Sequence, residues 1–230
     1  MPKGACNPRG CIVERYDALL FADDDLRSIV GTDRPQEQGL YPGADNYPPE
    51  YRKGLGDAGV EALKDFVRSG GSLILLDGAT ALATERFGIP VRNVVAGLSP
   101  KEFFAPGSTL RVQMDPAHPF AYGMPRDALI VFFDSAAFDI GNSIANNNIS
   151  VVARYGGRDI LRGGWLDGEA VLRQQAALLD VGYGKGRIAL IGFRAQNRAQ
   201  SHGTFKVLFN ALYQAGATQA VPSARTSSGQ

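Results

Sequence analysis

Two cysteines, two histidines and one tryptophan in 230 residues leave little material for the commonest site chemistries. Cys6 and Cys11 both precede the first expected strand, so no disulfide framework can hold the core. Without histidines beside them they also make a poor zinc site, and they read as adventitious linker residues. Neither sign of charge is in excess: 24 basic residues face 23 acidic ones, interspersed along the chain. That balance provides no basic face for nucleic acid or an anionic membrane. No apolar run reaches the roughly 18 residues a membrane span needs. Residues 1–11 hold no apolar segment, so no signal peptide is read there. The expectation is a soluble domain of unassigned compartment, exported only if it belongs to a longer secreted protein.

What is present is a chain that is 44% hydrophobic with 28 glycines and 13 prolines, enough for one sizeable core and many tight turns. Its organising stretch is residues 54–77. Val60, Leu63, Phe66 and Val67 recur at helical spacing, with Glu61, Lys64 and Arg68 on the wet face. Gly70 and Gly71 can end that helix in the left-handed region. Residues 72–76 then form a continuously apolar strand of the kind buried on both faces of an α/β sheet.

Around this unit, residues 16–22 predict a first strand running into Asp23-Asp24-Asp25, and residues 26–30 a brief helix. Residues 34–53 read as a long loop, and 79–87 as a short helix ending at Gly88. Strand signals follow at 110–114, 129–133, 149–155, 176–181 and 187–193, with a hairpin turn at 183–186. Phe205, Leu208, Phe209 and Leu212 mark the apolar face of a last helix. The expected division is a linker or truncation remnant at 1–13, one α/β domain at 14–217 and a disordered tail at 218–230.

Several stretches taken in order carry a resemblance: residues 54–77, Pro106-Gly107-Ser108, His118-Pro119 with Gly123-Met124-Pro125, Gly163-Gly164-Trp165-Leu166, and residues 182–210. Together, over residues 16–215, they resemble the class I glutamine-amidotransferase-like domain found at the C-terminal end of some bacterial zinc carboxypeptidase-like proteins. The resemblance implies a flavodoxin-like three-layer α/β sandwich, with a mostly parallel sheet and additional antiparallel strands in the second half. It further implies a piece, or a free-standing relative, of a larger peptidase. Fold likeness does not carry activity with it.

A working amidotransferase needs a cysteine on a sharp strand-to-helix turn with a histidine and an acid nearby. The comparable turn here, Leu76-Asp77-Gly78-Ala79-Thr80, has none. A carboxypeptidase-type zinc site needs a glutamate three residues after a histidine; here Ala121 follows His118 and Phe205 follows His202. No metal site and no cofactor are therefore expected. Asp23 to Asp25 read as a solvated acidic loop in preference to a hard-cation site. His118 reads as a turn residue, and Trp165 as a cap on the core in preference to a groove wall.

The strongest candidate cluster is Arg194, Gln196, Asn197, Arg198, Gln200, Ser201 and His202, just beyond an apolar strand, where ligands of open α/β sheets sit. Of these, Arg194, Gln196, Asn197, Arg198 and His202 are candidates for holding a small carboxylate or a peptide. Equally, they could cap the last helix and pair with Asp77 or Asp23. Three functions stay open. The first is a non-catalytic accessory or binding domain, a pseudoenzyme working beside a peptidase catalytic domain in cis or in trans. The second is a small hydrolase using Asp77, Arg198 and His202 as an acid/base set. The third is a spacer that supports homo-oligomers.

Overall fold

The computed structural model describes residues 12–31, 54–141 and 148–219. Its first half alternates strand and helix: β1 (Ala18–Phe21), α1 (Leu26–Val30), α2 (Gly56–Arg68), β2 (Ser72–Leu76) and α3 (Ala81–Arg86). The second half is mostly strand: β3 (Arg92–Asn93), β4 (Pro106–Met114), β5 (Asp127–Phe133), β6 (Phe138–Asp139), β7 (Ile149–Tyr155) and β8 (Leu161–Gly163). The single turn α4 (Glu169–Leu172), the hairpin strands β9 (Ala176–Tyr183) and β10 (Gly186–Ile191), and helix α5 (Phe205–Gln219) complete it.

The amphipathic pattern of α2 is realised as spaced, with Val60, Leu63, Phe66 and Val67 all buried. The two glycines after it have different tasks. Gly70 turns the chain at φ +120, whereas a Cβ on Gly71 would run into the Phe66 ring. All five residues of β2 are buried, and their alternation divides the core. Leu73 and Leu75 pack with α1, α2 and α3 on one face. Ile74 and Leu76 face the other layer, with Val207 and Ala211 of α5. Each such complete burial stabilises by about 1.5–3 kcal/mol.

The sheet runs β1-β2-β10-β9-β7-β4-β5. β2 pairs in parallel with β1 and with β10, and every other pairing is antiparallel. The chain is thus mixed α/β, with parallel strands in one sector and the expected antiparallel strands in the second half. The sheet also curls back on itself. The Arg194 N–H donates to the Val131 carbonyl and the Ala136 N–H to the Gly192 carbonyl, so the exit of β10 meets the end of β5. The curl gathers the C-terminal ends of β1, β2, β10 and β5 on one edge.

Two expectations need correction. Of the four residues read as the apolar face of α5, Phe205 and Leu208 are half-buried but Phe209 and Leu212 are 53% and 37% exposed, while Val207, Ala211 and Ala215 are buried. The helix is apolar nearly all round, so period alone cannot choose a face; the small residues let its backbone approach the sheet. Asn210 fixes that choice, its amide Nδ2 donating to the Phe120 and Tyr122 carbonyls. Second, Thr218 and Gln219, placed in a disordered tail, belong to α5. The remaining tail, residues 1–11 with both cysteines, and the loop at 34–53 lie outside the described residues. No helix among the described residues is long and apolar enough to cross a membrane.

The facing of α5 is testable by urea unfolding. Ala211→Asp would bury an unpaired charge and should cost more than about 3 kcal/mol. Phe209→Ser on the opposite face should change stability by less than about 1 kcal/mol.

Candidate functional site

At the end of β2 the chain turns sharply at Asp77, which takes φ +51, and enters the 3-10 turn Asp77–Thr80 that leads into α3. Few residues other than glycine adopt that conformation; aspartate is among the more tolerant. The Thr80 hydroxyl donates to the Asp77 carbonyl at 2.6 Å and tightens the turn. The result is a strand–elbow–helix unit with a carboxylate at its apex.

That carboxylate is 1% exposed. Arg194, on the exit of β10, donates from Nε to Asp77 Oδ2 at 2.9 Å, and its Nη2 meets Asp23 Oδ2 at 2.6 Å. The same guanidinium lies 4.8 Å from the centroid of the Phe133 ring at the end of β5. Asp23 in turn accepts from the Gly78 N–H with Oδ1 at 3.3 Å. Asp25 caps α1, accepting the Ser28 N–H at 2.9 Å. The acidic run, expected to be merely solvated, therefore places Asp23 and Asp25 in structural contacts.

Burial pushes the Asp77 carboxyl from 3.8 up to about 6; the Ser135 hydroxyl and Arg194 oppose the rise, and the Asp23 carboxylate adds to it. The Ser135 hydroxyl is bonded to the Phe133 backbone, and Asp77 Oδ1 has no hydrogen-bond partner among the described residues. Beneath the elbow, Tyr155 donates its hydroxyl to the Ala136 carbonyl at 3.1 Å. Burial, and secondarily the Asp77 charge, raise its phenol well above the ordinary value.

The other expected site residues divide sharply. Arg194 joins Asp77 and Asp23, one of the two arrangements anticipated for it. Gln196, Arg198, Gln200 and His202 are exposed and Asn197 is half-buried, on a loop closed by local bonds. The Asn197 N–H donates to Ser201 Oγ at 3.2 Å, and Thr204 Oγ1 donates to the Ala195 carbonyl at 2.7 Å. His202 lies edge-on to the Phe205 ring. Among the described residues no hydrogen bond or ion pair joins Arg198 or His202 to Asp77, so the proposed acid/base trio is not assembled by direct contact.

His118 caps the 3-10 turn Pro119–Ala121, its Nδ1 accepting the Phe120 N–H, and its Nε2 stands 3.3 Å from Asp180 Oδ2 on β9. Trp165, expected to cap the core, is 61% exposed, with Nε1 donating to Asp167.

Sequence reasoning missed the feature next to the elbow. Residues 93–106 and the end of β5 enclose a cleft of about 540 Å³, lined by Phe103, Phe104, Phe132 and Phe133 with Asn93, Asp134 and Ser135 among its polar groups. Asp134 has the same left-handed backbone as Asp77, at φ +48. The available signal was Phe132-Phe133-Asp134-Ser135, a polar pair directly after an apolar strand, the same cue that singled out Arg194.

No family model matches the chain, and no curated protein matches it. Among solved structures, a cytoplasmic protein of Salmonella typhimurium is similar, with a TM-score of 0.50 and 14% identity over 88% of this chain and 72% of that one. A GMP synthase subunit homologue from Thermoplasma acidophilum has a TM-score of 0.49 and 8% identity over 88% and 74% of the two chains. A ThuA-like protein from Bacteroides uniformis has 0.40 and 11% over 75% and 73%. Likeness at these identities concerns the fold alone.

The elbow cluster makes two stability measurements informative. A carboxyl held above its ordinary value favours folding at low pH; that contribution is complete below about 3.8 and is lost as pH rises through about 6. Asp77→Asn, which tolerates the same backbone, should gain on the wild type by about 2 kcal/mol between pH 4 and 7.5 in urea unfolding. Arg194→Ala strands a buried carboxylate and should cost about 3–5 kcal/mol at pH 8, less at pH 5, where Asp77 takes up a proton.

Proposed function

We propose that the chain is a flavodoxin-like, class I glutamine-amidotransferase-like domain that binds and docks without hydrolysing. One observation carries this reading. The apex of the strand–elbow–helix unit, where a thiol would have to stand, is Asp77, buried and tied to Arg194. A nucleophile must be exposed and free to approach a carbonyl; this carboxylate is neither.

Docking is supported by the outer face of α5, where Phe209, Leu212 and the 78%-exposed Tyr213 form an apolar surface. Tyr122, on the turn that Asn210 holds against α5, is equally exposed. We take the partner to be a zinc carboxypeptidase-like catalytic domain, in cis or in trans; this part rests on the sequence resemblance.

The strained, pKa-shifted elbow favours one competing reading, a hydrolase with Asp77 as nucleophile or base. Assays of the wild type and Asp77→Asn with glutamine and with p-nitrophenyl esters decide between them. Neither protein should exceed the buffer rate. Turnover that Asp77→Asn abolishes would overturn the binding reading.

A further inference from the structure

We propose that the cleft beside the elbow binds a small molecule with an aromatic body and a cationic nitrogen. This rests on reading the domain as a binder and names the chemistry it selects. The cleft's volume of about 540 Å³ suits a small organic ligand. It is lined by the end of β5, the start of β4 and the loop between β3 and β4, and it adjoins the elbow through Phe133, which carries the Arg194 guanidinium.

Its walls are fixed before any ligand arrives. Val94 N–H donates to the Ala137 carbonyl, and Phe104 exchanges both backbone bonds with Asp167. Glu102 closes the loop between them by accepting from the Ser99 N–H and hydroxyl at 2.9 and 2.8 Å. A preformed cleft loses little entropy on binding.

The lining selects the ligand. Four phenylalanines favour a flat apolar body; Phe133 already carries the Arg194 guanidinium and Phe132 is buried, so the exposed ring of Phe104 is the one that offers a face to a ligand cation. The single ionisable group lining the cleft is Asp134, exposed and without hydrogen bond or ion pair among the described residues. It attracts an ammonium and repels a carboxylate. Asn93 Oδ1 accepts from the Val95 and Ala137 N–H groups, which fixes the amide and leaves Nδ2 as a donor at the wall. Ser135 has its hydroxyl occupied by the Phe133 backbone and serves as floor.

The test is a titration of ¹⁵N-labelled protein, read by amide shifts, with 2-phenylethylamine, 3-phenylpropionate and butylamine. The aromatic amine should shift Asn93, Val95, Phe104, Asp134 and Ser135 saturably, with a Kd on the order of millimolar. The acid and the aliphatic amine should each bind at least about tenfold more weakly. Asp134→Asn, compatible with the same backbone, should weaken the aromatic amine about tenfold and abolish its advantage over the acid. Equal binding of the three probes, shifts elsewhere on the protein, unchanged affinity in Asp134→Asn or no saturable shift would overturn the proposal. Because the hydrolysis assay is read at Asp77→Asn and uses no aromatic amine, failure of the cleft and failure of the non-hydrolytic reading register separately.

Discussion

The contact of Arg194 with Asp77 and Asp23 is the constraint on which this edge of the molecule depends. It ties the ends of three adjacent parallel strands through one guanidinium, whose flat face rests on Phe133 at the end of β5. The antiparallel half of the sheet could splay away from the parallel half were its last strand not returned to β10. The two backbone bonds of the curl and the guanidinium over Phe133 make that return. A buried pair of this kind is weak evidence for net stability but strong evidence for a specified geometry, because losing either partner strands a charge. Burial pushes the Asp77 carboxyl up to about 6, and the second carboxylate on the same guanidinium, Asp23, adds to the rise.

The parts of the fold set by local pattern could be read from the chain. Val60, Leu63, Phe66 and Val67 identified α2; five consecutive apolar residues identified β2; Gly184 and Lys185 between two apolar runs identified the hairpin. What could not be read depends on choices among equals. Helix α5 is apolar round most of its circumference, and docking of Val207 and Ala211 against β2, with the Asn210 amide bonded to the Phe120 and Tyr122 carbonyls, decides which face is buried. The cleft joins Asn93, Phe103 and Asp134, brought together by the β3–β6 pairing and the Val94–Ala137 bond, which no periodicity announces.

The site was legible in the same partial way. Strand-end logic found Arg194 and Asp77, and opposite charge made their pairing one of two foreseeable outcomes. The same logic placed Arg198 and His202 in the crevice, yet from Gln196, five residues beyond the end of β10, the chain turns out to solvent. Arg198 and Ala199 at φ +49 and +55 make that turn. Arg194 keeps to the edge because its backbone is bonded to Val131 on β5; Arg198 and His202, further on, follow the loop.

The left-handed residues sharpen the contrast between elbow and cleft. Of the non-glycine residues at positive φ, Asp77 and Asp134 both lie at strand ends on the curled edge. Such conformations persist only where the surroundings over-determine them. At Asp77 the reason is visible: the turn aims the carboxylate at Arg194, and the ion pair holds it there. At Asp134 the same turn is made and the carboxylate is left at the mouth of an aromatic cleft with no protein partner among the described residues. The edge thus carries two carboxylates on like turns, one closed by its own arginine and one exposed on the lining of an aromatic cleft. The proposed binding function rests on that difference between the two carboxylates.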